Sequence, residues 1–174
     1  MSLQIPFGDH TPAVDPTTFL APNATLIGDV VLGADSSAFY GVVVRADTAA
    51  IRVGTGTNLQ DNVVLHADPG FPTTVGNGVS VGHGAVVHGC TVEDDCLIGM
   101  GATVMNGAVI GAGSLVAGGA VVLEGSIIPP GSLVAGVPAK VRRALGPEEI
   151  DGVRSNASRY VALAAEHRAI HTSA

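Results

Sequence analysis

Residues 92–134 read VEDDCL-IGMGAT-VMNGAV-IGAGSL-VAGGAV-VLEGSI-IPPGSL-V, and their spacing decides the fold. Broken every six residues, the stretch places Val92, Ile98, Val104, Ile110, Val116, Val122, Ile128 and Val134 in one column. The same step continues upstream through Val75, Val81 and Val87, through Val53, Leu59 and Leu65, and more loosely through Leu32, Ala38 and Val44. A helix repeats its apolar positions near 3.6 residues and a half-buried strand near 2. Six fits neither as a lone element. It fits a short strand, a corner and the next strand, the hexapeptide pattern of a parallel β-helix.

Glycine keeps the same time. Gly54, Gly76, Gly82, Gly99 and Gly111 directly follow the aliphatic residue. A second set, among them Gly56, Gly84, Gly101, Gly107 and Gly119, comes three places after it. Both places suit a backbone that turns tightly or passes close to a neighbouring strand. Three sides of six residues make a coil of about 18 residues, with ladders about 4.8 Å apart. Residues 27–139 are thus expected to form one continuous β-helix of roughly six coils, each stabilised by its neighbours.

Composition agrees. Aromatic residues make up 3% of the 174-residue chain and charged residues 13%, which suits a narrow core of small aliphatic side chains and argues against disorder. The first 20 residues, with Pro6, Pro12 and Pro16, read as an extended lead-in to a β-helix domain of residues 1–146. After Gly146-Pro147, acidic Glu148 and Glu149 open a helix whose apolar residues, from Ile150 and Val153 to Ala164, recur at helical spacing. This helix is expected over 147–170, packed on the β-helix, with His171–Ala174 frayed.

The net charge of −7 and the lack of a basic cluster beyond Lys140, Arg142 and Arg143 exclude a nucleic-acid partner. No apolar run is long enough to span a membrane, and the first residues show no secretory pattern. Two cysteines, Cys90 and Cys96, are too few for a disulfide framework. A cytoplasmic location is expected.

The repeat breaks between Leu65 and Val75, where ten residues stand in place of six. Ala67–Thr74, containing Asp68-Pro69-Gly70-Phe71-Pro72, is therefore a loop inserted at one corner. His66 follows Leu65, and His88 follows Val87. Three sides separate Leu65 from Val87, so the two histidines stack on one face, one rung of about 4.8 Å apart, and point outward. Two such imidazoles can converge on a metal. His83, two places after Val81, sits at the end of the preceding side and cannot join the pair within its own chain. A threefold assembly would bring a neighbour's His83 to the pair. Three neutral histidines suit zinc, iron(II) or cobalt(II).

With Val44-Arg45-Ala46-Asp47, Asn58-Leu59-Gln60-Asp61-Asn62, Leu65-His66, Val81-Gly82-His83 and Val87-His88-Gly89-Cys90, the sequence resembles the γ-class carbonic anhydrases. Ile98-Gly99-Met100-Gly101-Ala102 and the closing Gly136-Val137-Pro138-Ala139-Lys140 extend the likeness over nearly the whole chain. The resemblance implies a mainly β, left-handed parallel β-helix with a C-terminal α-helix. It implies a homotrimer in which His66 and His88 of one subunit and His83 of the next bind Zn2+, or Fe2+ or Co2+. The implied reaction is the reversible hydration of CO2 to bicarbonate by metal-held hydroxide. Asn58 and Gln60 would orient water or substrate, Tyr160 would reach the site from the helix, and Arg45, Asp47 and Asp61 resemble the family's intersubunit ion pairs. The inserted loop carries one acid, Asp68, and no glutamate, which makes Asp68 the candidate for proton transfer. Two other readings remain open: a hexapeptide acyltransferase or thioesterase acting on coenzyme A thioesters, and a non-catalytic metal-binding scaffold subunit.

Overall fold

A computed structural model describes residues 2–172 of the chain. Short strands wind around three faces in about seven coils. The first face stacks 25–27, 43–45, Val64–His66, Val86–His88, Thr103–Val104 and Val121–Val122 in parallel. The second carries Thr73–Val75, Thr91–Val92, Val109–Ile110 and Ile127–Ile128. The third carries Asn58–Leu59, Ser80–Val81, Leu97–Ile98, Leu115–Val116 and Ser132–Gly136. Every residue of the period-six column from Val53 to Val134 is buried, so one dry aliphatic core runs along the axis.

The first 20 residues are not a lead-in. Leu3–Ile5, Ala13–Val14 and Phe19–Leu20 pair with Thr25–Ile27, Val31–Leu32 and Ser37–Ala38, and so begin the first coil. The column reaches back through Val14, Leu20, Leu26 and Leu32, six apart. Its corners use Pro16 and Pro22-Asn23 where later corners use glycine, which hides the repeat.

The two glycine sets have different causes. Gly101 has φ +66° and no neighbour where a Cβ would stand, so it serves a left-handed turn. Asp35, Asn62 and Asp95 hold the same place after Leu32, Leu59 and Val92 with φ 54°, 60° and 57°. Asn and Asp tolerate that conformation best among non-glycine residues. Gly99, by contrast, faces the backbone of the next coil.

At the far end, Ala139–Ala144 turns back antiparallel on Ser132–Gly136 and covers the last ladder of the third face. Helix α1, Pro147–Thr172, then returns along that face. It buries Val153, Ala157 and Ala164. Near its end the His167 ring packs against Phe19 and Phe39, and its Nδ1 lies 2.8 Å from the Tyr40 hydroxyl. The sequence predicts fraying from His171, but the helix runs on to Thr172; Ser173 and Ala174 lie outside the described residues.

Glu149 caps the helix start by accepting from the Gly146 N–H at 2.9 Å, and the Arg143 guanidinium grips both its oxygens. The bond from Arg143, helped by that from Gly146, lowers the Glu149 carboxyl to about 2. A depressed folded pKa stabilises above the unfolded value and is lost as pH falls. The stability difference between wild type and Glu149→Gln is therefore expected at pH 7 and should shrink as pH falls from about 4.5 towards 2. Thermal midpoints of both proteins across that window check it; a difference constant with pH would contradict the cap.

Candidate metal centre

Strands Val64–His66 and Val86–His88 pair with His88 opposite His66. Leu65 and Val87 point into the core with no exposed surface, so alternation turns both imidazoles outward. The ring centroids are 4.9 Å apart, and His66 Nδ1 lies 2.9 Å from His88 Nε2.

The far nitrogen of each ring is engaged. His66 Nε2 lies 3.1 Å from Asp47 Oδ1, a carboxylate that only accepts. His88 Nδ1 lies 2.7 Å from Asn106 Oδ1. The Asn106 amide is oriented in turn by Asp68, since Asn106 Nδ2 donates to Asp68 Oδ2 at 2.9 Å. Each imidazole therefore donates away from the other. With both rings neutral, these bonds set the tautomers so that the inner nitrogens meet lone pair to lone pair. That arrangement is repulsive unless a proton or a metal cation lies between them. A metal with bonds of about 2.0–2.1 Å would need the two nitrogens roughly 3.0–3.4 Å apart, an opening of a few tenths of an ångström. The donor set fits a metal ion. Burial works against the Asp47 carboxylate, but hydrogen bonds from Arg45 and His66 outweigh it and hold its pKa below the ordinary value.

His83 lies elsewhere. It stands at the corner before Val86–His88, whereas His88 ends that strand. Its Nδ1 meets Asp61 Oδ2 at 2.9 Å, and its Nε2 is 3.5 Å from the Tyr160 hydroxyl. Burial raises the Tyr160 pKa, and the Asp61 charge adds to that shift. The Phe39 ring meets Tyr160 edge to face at 5.5 Å and steadies it over the groove. Beside His83, Ser80 Oγ pairs with Asn58 Nδ2 at 2.9 Å, and Asn58 Oδ1 accepts from Gln60 Nε2 at 3.1 Å. Gln60 Oε1 is left as the acceptor of this pair. A groove of about 400 Å³ opens here between α1 and the third face, lined by Gln60, His83, Leu97, Met100, Leu115 and Tyr160.

One chain thus carries two side-chain clusters on different corners. The first holds His66, His88, Asp47, Asn106 and Asp68. The second holds His83, Asp61, Asn58, Gln60 and Tyr160. Arg45 and Asp47 meet each other within the chain at 2.5 Å, and both aspartates also hold a histidine. Asn106 carried no motif. Its one signal is register: Val87 pairs with Val104, so Asn106 stacks beneath Gly89, whose bare backbone lets the amide lean up to His88. Cys90 and Cys96 are buried and free, and burial raises both thiols to about 12, which leaves them unreactive. No helix among the described residues is long and apolar enough to cross a membrane.

No protein-family model matches the chain. Curated proteins do. The chain is 46% identical over 165 residues to gamma carbonic anhydrase 2, mitochondrial, of Arabidopsis thaliana, covering 91% of this chain and 59% of that protein. It is 39% identical to a carbonic anhydrase of Geobacillus kaustophilus, covering 95% of this chain and 91% of that one. The chain therefore spans about 60% of the length of its plant relatives and nearly all of the bacterial one. Among solved structures, a hexapeptide transferase family protein from Anaplasma phagocytophilum superposes with a TM-score of 0.91 at 41% identity, over 94% of this chain and 97% of that one. The fold is the left-handed hexapeptide β-helix. Relatives named carbonic anhydrase imply a metal, and the His66, Asp68 and His88 group could hold one. The chain belongs to the gamma carbonic anhydrase family.

Proposed function

We propose that the protein is a metal-dependent carbonic anhydrase, interconverting CO2 and bicarbonate between the subunits of a homotrimer. The facing lone pairs of His66 Nδ1 and His88 Nε2, 2.9 Å apart, carry this reading. Such a pair gains by binding a cation and gains nothing in an acyl transfer. Zinc is the first choice, with iron(II) and cobalt(II) as alternatives. Bound there, the ion supplies a Lewis acid that lowers the pKa of water from 15.7 to around 7.

The residues divide the remaining work. His66 and His88 hold the ion from one subunit, and His83 of the neighbour closes the set. Asp61, on His83 Nδ1, holds that ring and leaves Nε2, beside the Tyr160 hydroxyl, as the ligating nitrogen. Gln60, braced by Asn58, presents an amide oxygen that accepts a hydrogen bond from the attacking oxygen and aims its remaining lone pair at carbon. The apolar walls around Leu97 and Leu115 suit CO2, which has no net dipole. The Tyr160 hydroxyl beside His83 donates to the substrate's oxygens. Arg45, Asp47 and Asp61 remain candidates for ion pairs across the interface. Unpaired thiols suit a reducing compartment such as the cytoplasm.

Asn106→Ala removes the acceptor behind His88 and is expected to weaken metal binding about 10–100-fold. Equilibrium dialysis against zinc checks this; unchanged affinity would remove Asn106 from the site. The reading as a whole is tested by metal analysis of anaerobically purified protein alongside a CO2 hydration assay. Metal-loaded trimer with no hydration above buffer would overturn it. Turnover of acetyl-coenzyme A that survives chelation would move the protein to the hexapeptide transferases, and metal without either activity would make it a scaffold.

A further inference from the structure

We propose that Asp68 is a metal ligand. With His66 and His88 it forms a two-histidine, one-carboxylate site that holds a divalent cation within a single chain, and His83 of a neighbour replaces it on assembly. The proposal rests on the reading of His66 and His88 as metal ligands. It reassigns Asp68, which the sequence suggested for proton transfer.

Three observations carry it. First, the ligating atoms of His66, Asp68 and His88 all lie within 4.8 Å of one another, and His83 is not in that group. Asp68 Oδ1 is 3.9 Å from His88 Nε2. Two ligands of one metal sit roughly 3.0–3.4 Å apart, so a small rotation of the Asp68 side chain brings it into range.

Second, Asp68 is aimed. Its Oδ2 accepts from Asn106 Nδ2, the same amide that orients His88. That bond leaves Oδ1 on the histidine side. Asn106 therefore couples the carboxylate to the ring it would share a metal with.

Third, the loop that carries Asp68 is built to hold it. Phe71 N–H donates to Asp68 C=O at 2.8 Å, with Pro69 and Gly70 at the turn and Gly70 at φ +82°. Proline then glycine with positive φ is the type II turn. Phe71 packs over Gly89 and Gly107, where a Cβ would meet its side chain at 2.9 and 3.4 Å. Thr73 Oγ1 donates to the His66 carbonyl at 2.6 Å and accepts from Gly89 N–H at 2.8 Å. The inserted loop is thus pinned to both histidine strands.

Two histidines and one carboxylate leave open positions on either zinc or iron(II). The exchange is simple in coordination terms. The Asp68 oxygen leaves, keeping its bond to Asn106, and the lone pair of His83 Nε2 enters. A newly folded chain can then take up its ion before it meets a partner.

The test uses cobalt(II) as probe, with bound metal measured by dialysis and coordination by visible absorption. The proteins are wild type, Asp68→Asn, His83→Ala, the double variant and His66→Ala, each checked for fold by thermal unfolding. His83→Ala is expected to keep one cobalt per chain, and Asp68→Asn to keep wild-type stoichiometry through His83. The double variant should bind at least about 100-fold more weakly than His83→Ala, because losing a ligand costs no less than losing a residue that orients one. Equal affinity of His83→Ala and the double variant would overturn the proposal, as would a His83→Ala protein with no cobalt. A His66→Ala protein that binds cobalt like wild type would instead overturn the metal centre itself.

Discussion

His66→Ala is expected to reduce CO2 hydration to the level of buffer and to weaken metal binding by at least about 100-fold, while leaving the fold intact. The two effects separate because of alternation along one strand. Leu65 contributes to the core and is fully buried; His66 faces outward and only its neighbours on the corner depend on it. Its loss breaks the pair that needs a cation. His88 stays anchored on Asn106 and the neighbour's His83 remains, but two imidazoles from two subunits beside a half-exposed carboxylate make a much weaker site. The thermal midpoint of the metal-free variant should match that of the metal-free wild type. The two midpoints are compared directly at one pH, since metal linkage is then removed from both. Retained hydration in His66→Ala would take the reaction away from this corner. A large fall in the midpoint would make the residue structural.

The centre of this site was readable from spacing alone. Counting three sides from Leu65 to Val87 put His66 against His88, and the strands pair in that register. The same count separated His83 from them, and its partners Asp61 and Tyr160 are indeed on another corner. Period six works because a corner resets the side-chain direction each time, so an aliphatic residue in register is an inward one. It fails where chemistry depends on a side chain bending along the axis. Asn106 reaches up one rung to His88: register places it only beneath Gly89, and the lean across to the ring is not in the spacing. Asp68 was visible as the acid of an inserted loop, but its aim depends on the same amide.

A second insertion was missed for a related reason. Val44 and Val53 are nine apart, and the extra residues do not form a separate loop. They continue one long strand, Val43–Val53, around the corner, as Thr25–Leu32 does one coil earlier. This extension carries Asp47 to His66, and the Thr48 hydroxyl donates to the Ala67 carbonyl of the next coil. The resemblance marked Arg45 and Asp47 only as candidates for pairs between subunits; the pair they form within the chain, and the histidine that Asp47 also holds, were not legible. Sheet pairing ties the two functions to one strand.

Gly99→Ala is expected to destabilise the protein by about 3 kcal/mol or more, because the new methyl has nowhere to go. Its Cβ would lie 2.5 Å from Gly118 N, 2.7 Å from Ala117 C and 2.7 Å from Val116 O. These are backbone atoms of the next coil, held by the Gly99 N–H donating to Val116 C=O at 2.7 Å. Relief requires the two coils to part, and in a solenoid each coil is stabilised by its neighbours. Gly101→Ala poses a different problem. Space is open there, and the cost is that of left-handed backbone, about 1–2 kcal/mol. Gly101→Asn should cost less than Gly101→Ala, since Asn62 and two aspartates already fill the equivalent corner. For a chain of this length the Gly99 penalty corresponds to a midpoint lowered by roughly 6–12 °C. Calorimetry of the three variants orders them; Gly99→Ala at or above Gly101→Ala in stability would refute the close-approach account. The effect should also reach the site. Gly82 repeats the contact one coil earlier, with a Cβ position 2.7 Å from Met100 N, and the Gly101 N–H donates to the His83 carbonyl at 2.9 Å. A coil pushed away at Gly99 therefore moves the corner on which His83 stands, and metal binding in the assembled protein should weaken together with stability.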